Sequence, residues 1–313
     1  VFQDFGRKRA DPVPSFDNCA GRSEQSPEHY RECCTSGRLT AFPAALVMAA
    51  AVLHATWNAL VKGAGDRAVM LALISLGHVV PGVILAMFVP LPSIDAVPFI
   101  IASTVVHWGY YYFLSIAYRF GDLSLVYPIA RGGAPILVAL GALVWADEQL
   151  PILGWIAIAT VSSGIFLLAA VRNADSRALG AALVTSMIIA FYSIVDGIGI
   201  RLSGSPLGYI AWLFIAEIGV TFFIFFTRWP RVRTATARNL VIGLSGGALS
   251  GLAYALVLYA KTLAPLGVVS ALRETSVIFA ALFGVLWFHE RPIGRRLLAS
   301  GVVACGIILL TMS

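Results

Sequence analysis

Long apolar runs broken by short polar turns dominate the chain from residue 43 onward. Ten runs of about 20 mostly apolar residues, the length that crosses a bilayer core, cover 43–62, 68–89, 97–118, 123–145, 152–171, 178–200, 206–227, 239–260, 267–288 and 294–312. Gly, Pro, Asp or Arg mark the breaks. Trp145, Arg172, Trp229 and Trp287 stand at run ends, where a membrane–water interface favours aromatic and cationic residues. Alternating strands of about ten residues are absent, which excludes an outer-membrane barrel. The pattern predicts an all-α membrane protein with ten transmembrane helices.

One stretch occurs twice. Residues 117–164 and 259–306 match at a constant offset of 142: Ala130-Arg131-Gly132 falls on Leu272-Arg273-Glu274, Asp147-Glu148 on His289-Glu290, and Gly164 on Gly306. Spans 1–3 and 6–8 match only weakly, with Asn58 opposite Asp196 and Arg119 opposite Lys261. Five spans per copy is odd, so the second copy enters the membrane from the opposite side. The expected organisation is an inverted five-plus-five repeat: 43–172 for spans 1–5 and 173–313 for spans 6–10.

Composition agrees. The 313 residues are 59% hydrophobic and 12% charged, with a mean hydropathy of +0.85, a balance no soluble domain of this length has. Residues 1–42 differ: they hold six cations and six acids and no apolar run, so they read as a disordered or non-native tail rather than a signal peptide. Cys19, Cys33, Cys34 and Cys305 show neither zinc nor CxxC spacing. Loops after odd-numbered spans carry twelve Lys or Arg, whereas loops after even-numbered spans carry only Arg201 and Lys261. The positive-inside rule then puts the odd-numbered loops in the cytoplasm and both termini outside.

Charges inside the runs are the candidate chemistry. Arg131 and Arg273 each lie about 10–12 Å into a helix at about 1.5 Å per residue, near the midplane of a ~30 Å core. An unpaired Arg there costs at least ~2.5–3.5 kcal/mol. Each must face a polar cavity, as a bidentate grip for a carboxylate, or pair structurally with Glu274 or Glu217. Glu217 and Glu274, with His54, His78 and His107 on spans 1, 2 and 3, are candidates for proton coupling; for each His the plainer alternative is a neutral ring bonded to a neighbouring helix. Asp196 reads as a solvated residue near a span end. Glu148 and Glu290 read as turn residues that cap a helix or pair with Arg291 or Arg295.

Trp57, Tyr127, Tyr192 and Tyr254, with Asn58, offer apolar faces carrying polar handles. Tyr110, Tyr111 and Tyr112 point three ways on a helix, so at most two can face one cavity. Gly243, Gly247 and Gly251 permit close helix packing. Pro128 and Pro135 predict a bend in span 4 beside Arg131; span 9 has no equivalent prolines. There is no GxSxG, HExxH or Walker loop, so no catalytic residue, cofactor, metal or nucleic-acid partner is expected. Two joined repeats complete a pathway in one chain, so a monomer is expected.

Three matches carry a resemblance: Leu125-Val126-Tyr127-Pro128-Ile129-Ala130-Arg131-Gly132 running to Asp147-Glu148, Val269-Ser270-Ala271-Leu272-Arg273-Glu274-Thr275-Ser276 running to His289-Glu290-Arg291, and His54-Ala55-Thr56-Trp57-Asn58-Ala59-Leu60 in span 1. In these the chain resembles the drug/metabolite transporter superfamily, in its ten-span EamA-type branch, over residues 43–313. The resemblance implies a multi-pass transporter of the cell (inner) membrane, not an enzyme. The implied cavity lies between the repeats, with His54, Trp57, Asn58, His107, Tyr127, Arg131, Tyr192, Tyr254, Arg273 and Glu274 as substrate-binding candidates. Span 1 lacks the Glu of small multidrug relatives, having His54 and Asn58 instead. The expected activity is secondary active or facilitative export of small amphiphilic or zwitterionic metabolites such as amino acids. The alternatives are a flippase for a lipid-linked sugar and, behind it, a membrane-embedded enzyme or sensor.

Overall fold

The computed structural model describes residues 40–61, 66–120, 123–169, 175–286 and 293–313. The tail, Arg172, the His289-Glu290 turn and the side chains of Tyr111, Tyr112 and Arg119 lie outside the described set. Among the described residues twelve α-helices fall into ten segments that match the predicted spans. They are α1 (Ala41–Val61), α2 (Arg67–Ala86), α3 (Val97–Phe120), α4 (Leu123–Trp145), α5 (Ile152–Phe166), α6 (Ser176–Leu202), α7 (Pro206–Ala216), α8 (Ile218–Val232), α9 (Ala237–Ala260), α10 (Leu266–Arg273), α11 (Ser276–Leu286) and α12 (Ile293–Thr311). Span 7 is α7 plus α8, interrupted at Glu217; span 9 is α10 plus α11, interrupted at Glu274–Thr275. Seven segments are long and apolar enough among the described residues to cross a membrane, span 7 being counted across its interruption. Helix α5 is shorter, at 15 residues.

Local sequence sets the helix ends. Asp175, Ser205 and Thr236 cap α6, α7 and α9, each accepting a hydrogen bond from a first-turn backbone N–H, and Pro206 sits where its missing donor costs nothing. Span 4 ends at Asp147, whose φ of 52° is the left-handed conformation that Asp tolerates better than most residues. That turn lets Glu148 N–H donate back to Ala142 O at 3.1 Å, closing the last turn and aiming the Glu148 carboxylate inward.

Packing shows the internal two-fold directly. A Cβ placed on Gly164 would stand 2.9 Å from Val303 N and 3.1 Å from Ala299 O. One placed on Gly306 would stand 2.8 Å from Val161 N and 3.0 Å from Ala157 O. Every partner repeats at the offset of 142, so α5 and α12 cross on the dyad as mirror-matched surfaces. Spans 2 and 7 meet on it too: Ser75 Oγ donates to Glu217 O at 2.8 Å, between residues 142 apart.

The glycines of α9 pack within the chain. A Cβ on Gly247 would meet Gly77 Cα at 2.8 Å, and Gly243 and Gly251 lie against Leu73 and His78 of α2. Helix α4 runs unbroken with Pro128 and Pro135 inside it, whereas proline-free span 9 is the one interrupted. There α-helical bonding gives way to tighter bonds three residues apart, such as Thr275 N to Leu272 O at 3.1 Å and Val277 N to Glu274 O at 2.9 Å.

Candidate functional site

A cavity of 1070 Å³ lies between the two halves. Asp66, at the start of span 2, and Thr227, Arg228 and Arg231, at the end of span 7, line its mouth. All four belong to the face carrying the odd-numbered loops. No residue from the turns on the opposite face lines it, so the cavity is blind at that end.

Its walls hold most of the predicted residues: His54, Trp57 and Asn58 from α1, His107 from α3, Tyr127 and Arg131 from α4, Tyr192 from α6, Tyr254 from α9 and Arg273 from α10. Their partners divide them. Trp57 Nε1 donates to His54 Nδ1 at 3.3 Å, and Asn58 Nδ2 to His54 O at 2.7 Å, so this trio is braced within one helix. The His107 ring Nδ1 bonds Ser103 O at 2.8 Å, and the ring lies 4.3 Å from Tyr192. His78 Nδ1 lies 2.7 Å from Glu217 Oε2. The three histidines therefore have separate partners. Among the described residues no His, Cys, Asp and Glu cluster could hold a metal ion.

The two arginines differ. Arg131 is 6% exposed. Its guanidinium pairs with Glu274, NH2 to Oε1 at 2.9 Å and Nε to Oε2 at 3.1 Å, and NH2 reaches Ser276 Oγ at 3.5 Å. This is the two-pronged geometry that favours Arg with carboxylate. Glu274, 3% exposed, is consumed by this pair and is not part of the cavity wall. Its expected place among the solute contacts is thus corrected: the interruption of span 9 turns it across the dyad to Arg131. Arg273 instead lies with its guanidinium carbon 5.7 Å from the Tyr254 ring centroid, a cation–π distance, and faces the cavity. Among the described residues no carboxylate lies within ion-pair distance of it.

The blind end is sealed by polar groups the sequence reading misplaced. Asp196, expected to be solvated, is fully buried. Tyr209 donates to its Oδ1 at 3.0 Å and Tyr254 to its Oδ2. Lys261 Nζ donates to Ser193 O at 2.9 Å. Glu148, expected to cap a helix or reach Arg291 or Arg295, does cap one, accepting from Leu266 N at the start of α10 at 2.7 Å, and its ion pair is with Arg201 at 2.6 Å instead. Arg201 also donates to Lys261 O and Ala264 O at 2.8 and 3.0 Å, and Arg295 donates to the backbone carbonyls of Leu167 and Ala169. One signal was available in advance: Arg201 and Lys261 are the only cations in the even-numbered loops, and both turn out to be structural.

Comparison with known proteins agrees with this architecture. The EamA-like transporter family matches residues 176–312. A protein of solved crystal structure, 15% identical, superposes with a TM-score of 0.68 over 86% of this chain and 96% of its own, a likeness of fold alone. None of the curated proteins matches the sequence. The chain is a multi-pass, all-α membrane protein carrying an EamA-like transporter domain over residues 176–312, in keeping with the drug/metabolite transporter superfamily.

Proposed function

We propose that the chain moves small amphiphilic, zwitterionic metabolites such as amino acids through the central cavity, by secondary active or facilitative alternating access. One observation carries the reading: a blind 1070 Å³ cavity with the Arg273 guanidinium on its wall and no carboxylate of the described residues within ion-pair distance of it. A solute carboxylate supplies the missing anion, and the surrounding Trp57, Tyr127 and Tyr192 take an apolar side chain. With the odd-numbered loops cytoplasmic, the cavity faces the cytoplasm and the direction is export across the cell membrane. A thermal-shift screen of purified protein against the L-amino acids tests it, because a ligand of the folded state raises Tm. Apolar L-amino acids should stabilise wild type and not Arg273→Ala; equal shifts in both, or none in wild type, would remove the proposed grip.

A flippase for a lipid-linked sugar is the second reading. Trp108 and Phe223 both line the cavity and are both exposed, their rings 6.3 Å apart. This aromatic pair between α3 and α8 suits lateral passage of a headgroup. Loss of export in Trp108→Ala combined with lipid-dependent activity would favour it over the amino-acid reading.

A further inference from the structure

His78 and Glu217 form a second charged site on the cavity wall, apart from the Arg131–Glu274 pair. Glu217 is the residue at which span 7 is interrupted, ending α7 and preceding α8. His78 lies on α2, its ring stacked 5.3 Å from Phe214 and its edge against Gly251. At about 1.5 Å per residue, His78 and Glu217 each stand about 16 Å from the N-terminal end of span 2 and of span 7, ends that lie on opposite faces, which places the pair near mid-bilayer. Both side chains are nearly buried, 9% and 12% exposed, and both line the cavity. His78 Nε2 is buried with no hydrogen-bond partner among the described residues.

We propose that the His78–Glu217 pair is a proton-binding site that couples solute movement to a proton gradient, a step that rests on the transporter reading above. With a carboxylate and a neutral imidazole the pair carries one net negative charge, and Nδ1–H donates to Oε2. One proton, taken from the aqueous mouth, is then shared between Oε2 and the imidazole and brings the pair to net zero. A buried imidazolium must point Nε2–H at something, and here nothing receives it. The arrangement therefore favours the proton at the carboxyl, or a shift of α2 against span 7 that gives Nε2–H a partner. Glu217 stands where the α-helical bonding of span 7 is interrupted, its backbone carbonyl held by Ser75 Oγ and the helix resuming at Ile218, so a change of charge acts at the junction of α7 and α8. The groups facing the pair are His107 of α3 and Tyr254 of α9. Asp66, Arg228 and Arg231 lie toward the mouth, and Arg131 and Arg273 line the walls of the same cavity.

The decisive measurement needs no solute. Infrared difference spectra of the purified full chain in lipid, between acidic and neutral pH, should show a titrating carboxyl C=O band in wild type. The same band should appear in Arg273→Ala, be lost in Glu217→Gln and be displaced in His78→Gln. A Glu217→Gln spectrum equal to wild type overturns the proposal, and so does an undisplaced band in His78→Gln if Glu217→Gln fails to fold. Proteoliposomes with radiolabelled L-phenylalanine then separate the two readings. Counterflow that ignores an imposed pH gradient overturns the coupling and leaves the transporter standing. A band with the expected dependence but no L-phenylalanine counterflow supports the proton site and strikes the amino-acid reading instead.

Discussion

Arg131 and Arg273 occupy the same place in the two copies and both line the cavity, yet among the described residues only Arg131 is clamped by a carboxylate. The difference comes from the next residue. Gly132 follows Arg131 and offers no side chain, while Glu274 follows Arg273 and crosses the dyad to clamp Arg131. One duplicated cation has become a structural member and its twin is left facing the cavity. Duplication thus supplies symmetric charge, and a single flanking substitution converts it into an asymmetric site. Glu274→Ala breaks this comparison most severely. It leaves the Arg131 guanidinium buried and unpaired, and should cost about 3–5 kcal/mol, read as a large fall in Tm or complete loss of folded protein. Replacing both partners together by Met should recover most of that loss, since the desolvation cost leaves with the charges.

Arg273→Ala should behave in the opposite way. It removes a cavity-facing cation held by a ring contact, so Tm should stay within a few degrees. If the cavity binds a carboxylate, affinity for it should fall about 10–100-fold, the ~1.5–3 kcal/mol of a charge-assisted hydrogen bond. Isothermal titration of an apolar L-amino acid against the two variants would check this; an Arg273→Ala protein as unstable as Glu274→Ala would erase the distinction between the two arginines.

Where the dyad is retained, the two copies should answer alike. Gly164→Ala and Gly306→Ala each drive a methyl to within about 3 Å of backbone on the facing helix. Overpacking of this kind costs about 1–3 kcal/mol, and denaturation midpoints for the two should agree within experimental spread. Unequal losses would show that the symmetry of α5 and α12 is only geometric and that their neighbourhoods relax differently.

The sequence made the spans and the repeat legible because lipid imposes long apolar runs, and because a tight glycine crossing such as Gly164 on Gly306 tolerates little drift. The cavity walls were legible too, since intramembrane polar groups such as His54, His107 and Arg273 need somewhere polar to face. What could not be read was which polar group answers which. Asp196 looked solvated from its distance to the span end, yet Tyr209 and Tyr254 supply its hydrogen bonds inside the bundle. Glu148 looked like a partner for cations nearby in the repeat pattern, yet the left-handed turn at Asp147 aims it at Arg201. Proline marked span 4, and α4 runs through Pro128 and Pro135 unbroken, while the interruption of span 9 at Glu274–Thr275 carries no proline to announce it. Pairing of this kind depends on three-dimensional register that hydropathy does not encode.

The smallest effect tests whether burial, rather than pairing itself, makes Arg131 indispensable. Arg231 and Asp66 form an ion pair of the same chemistry at the cavity mouth, 3.2 Å apart, with side chains 57% and 36% exposed. The Arg131–Glu274 side chains are 8% and 4% exposed. Water and salt screen the outer pair, and its worth should be about 1 kcal/mol or less. Asp66→Asn should therefore shift Tm by no more than a few degrees at low ionic strength, and the shift should vanish at about 1 M salt, where screening acts within a few ångströms. Glu274→Gln should remain destabilising at both salt concentrations. Equal salt sensitivity in the two variants would mean that solvent reaches the Arg131 pair as freely as it reaches the outer one.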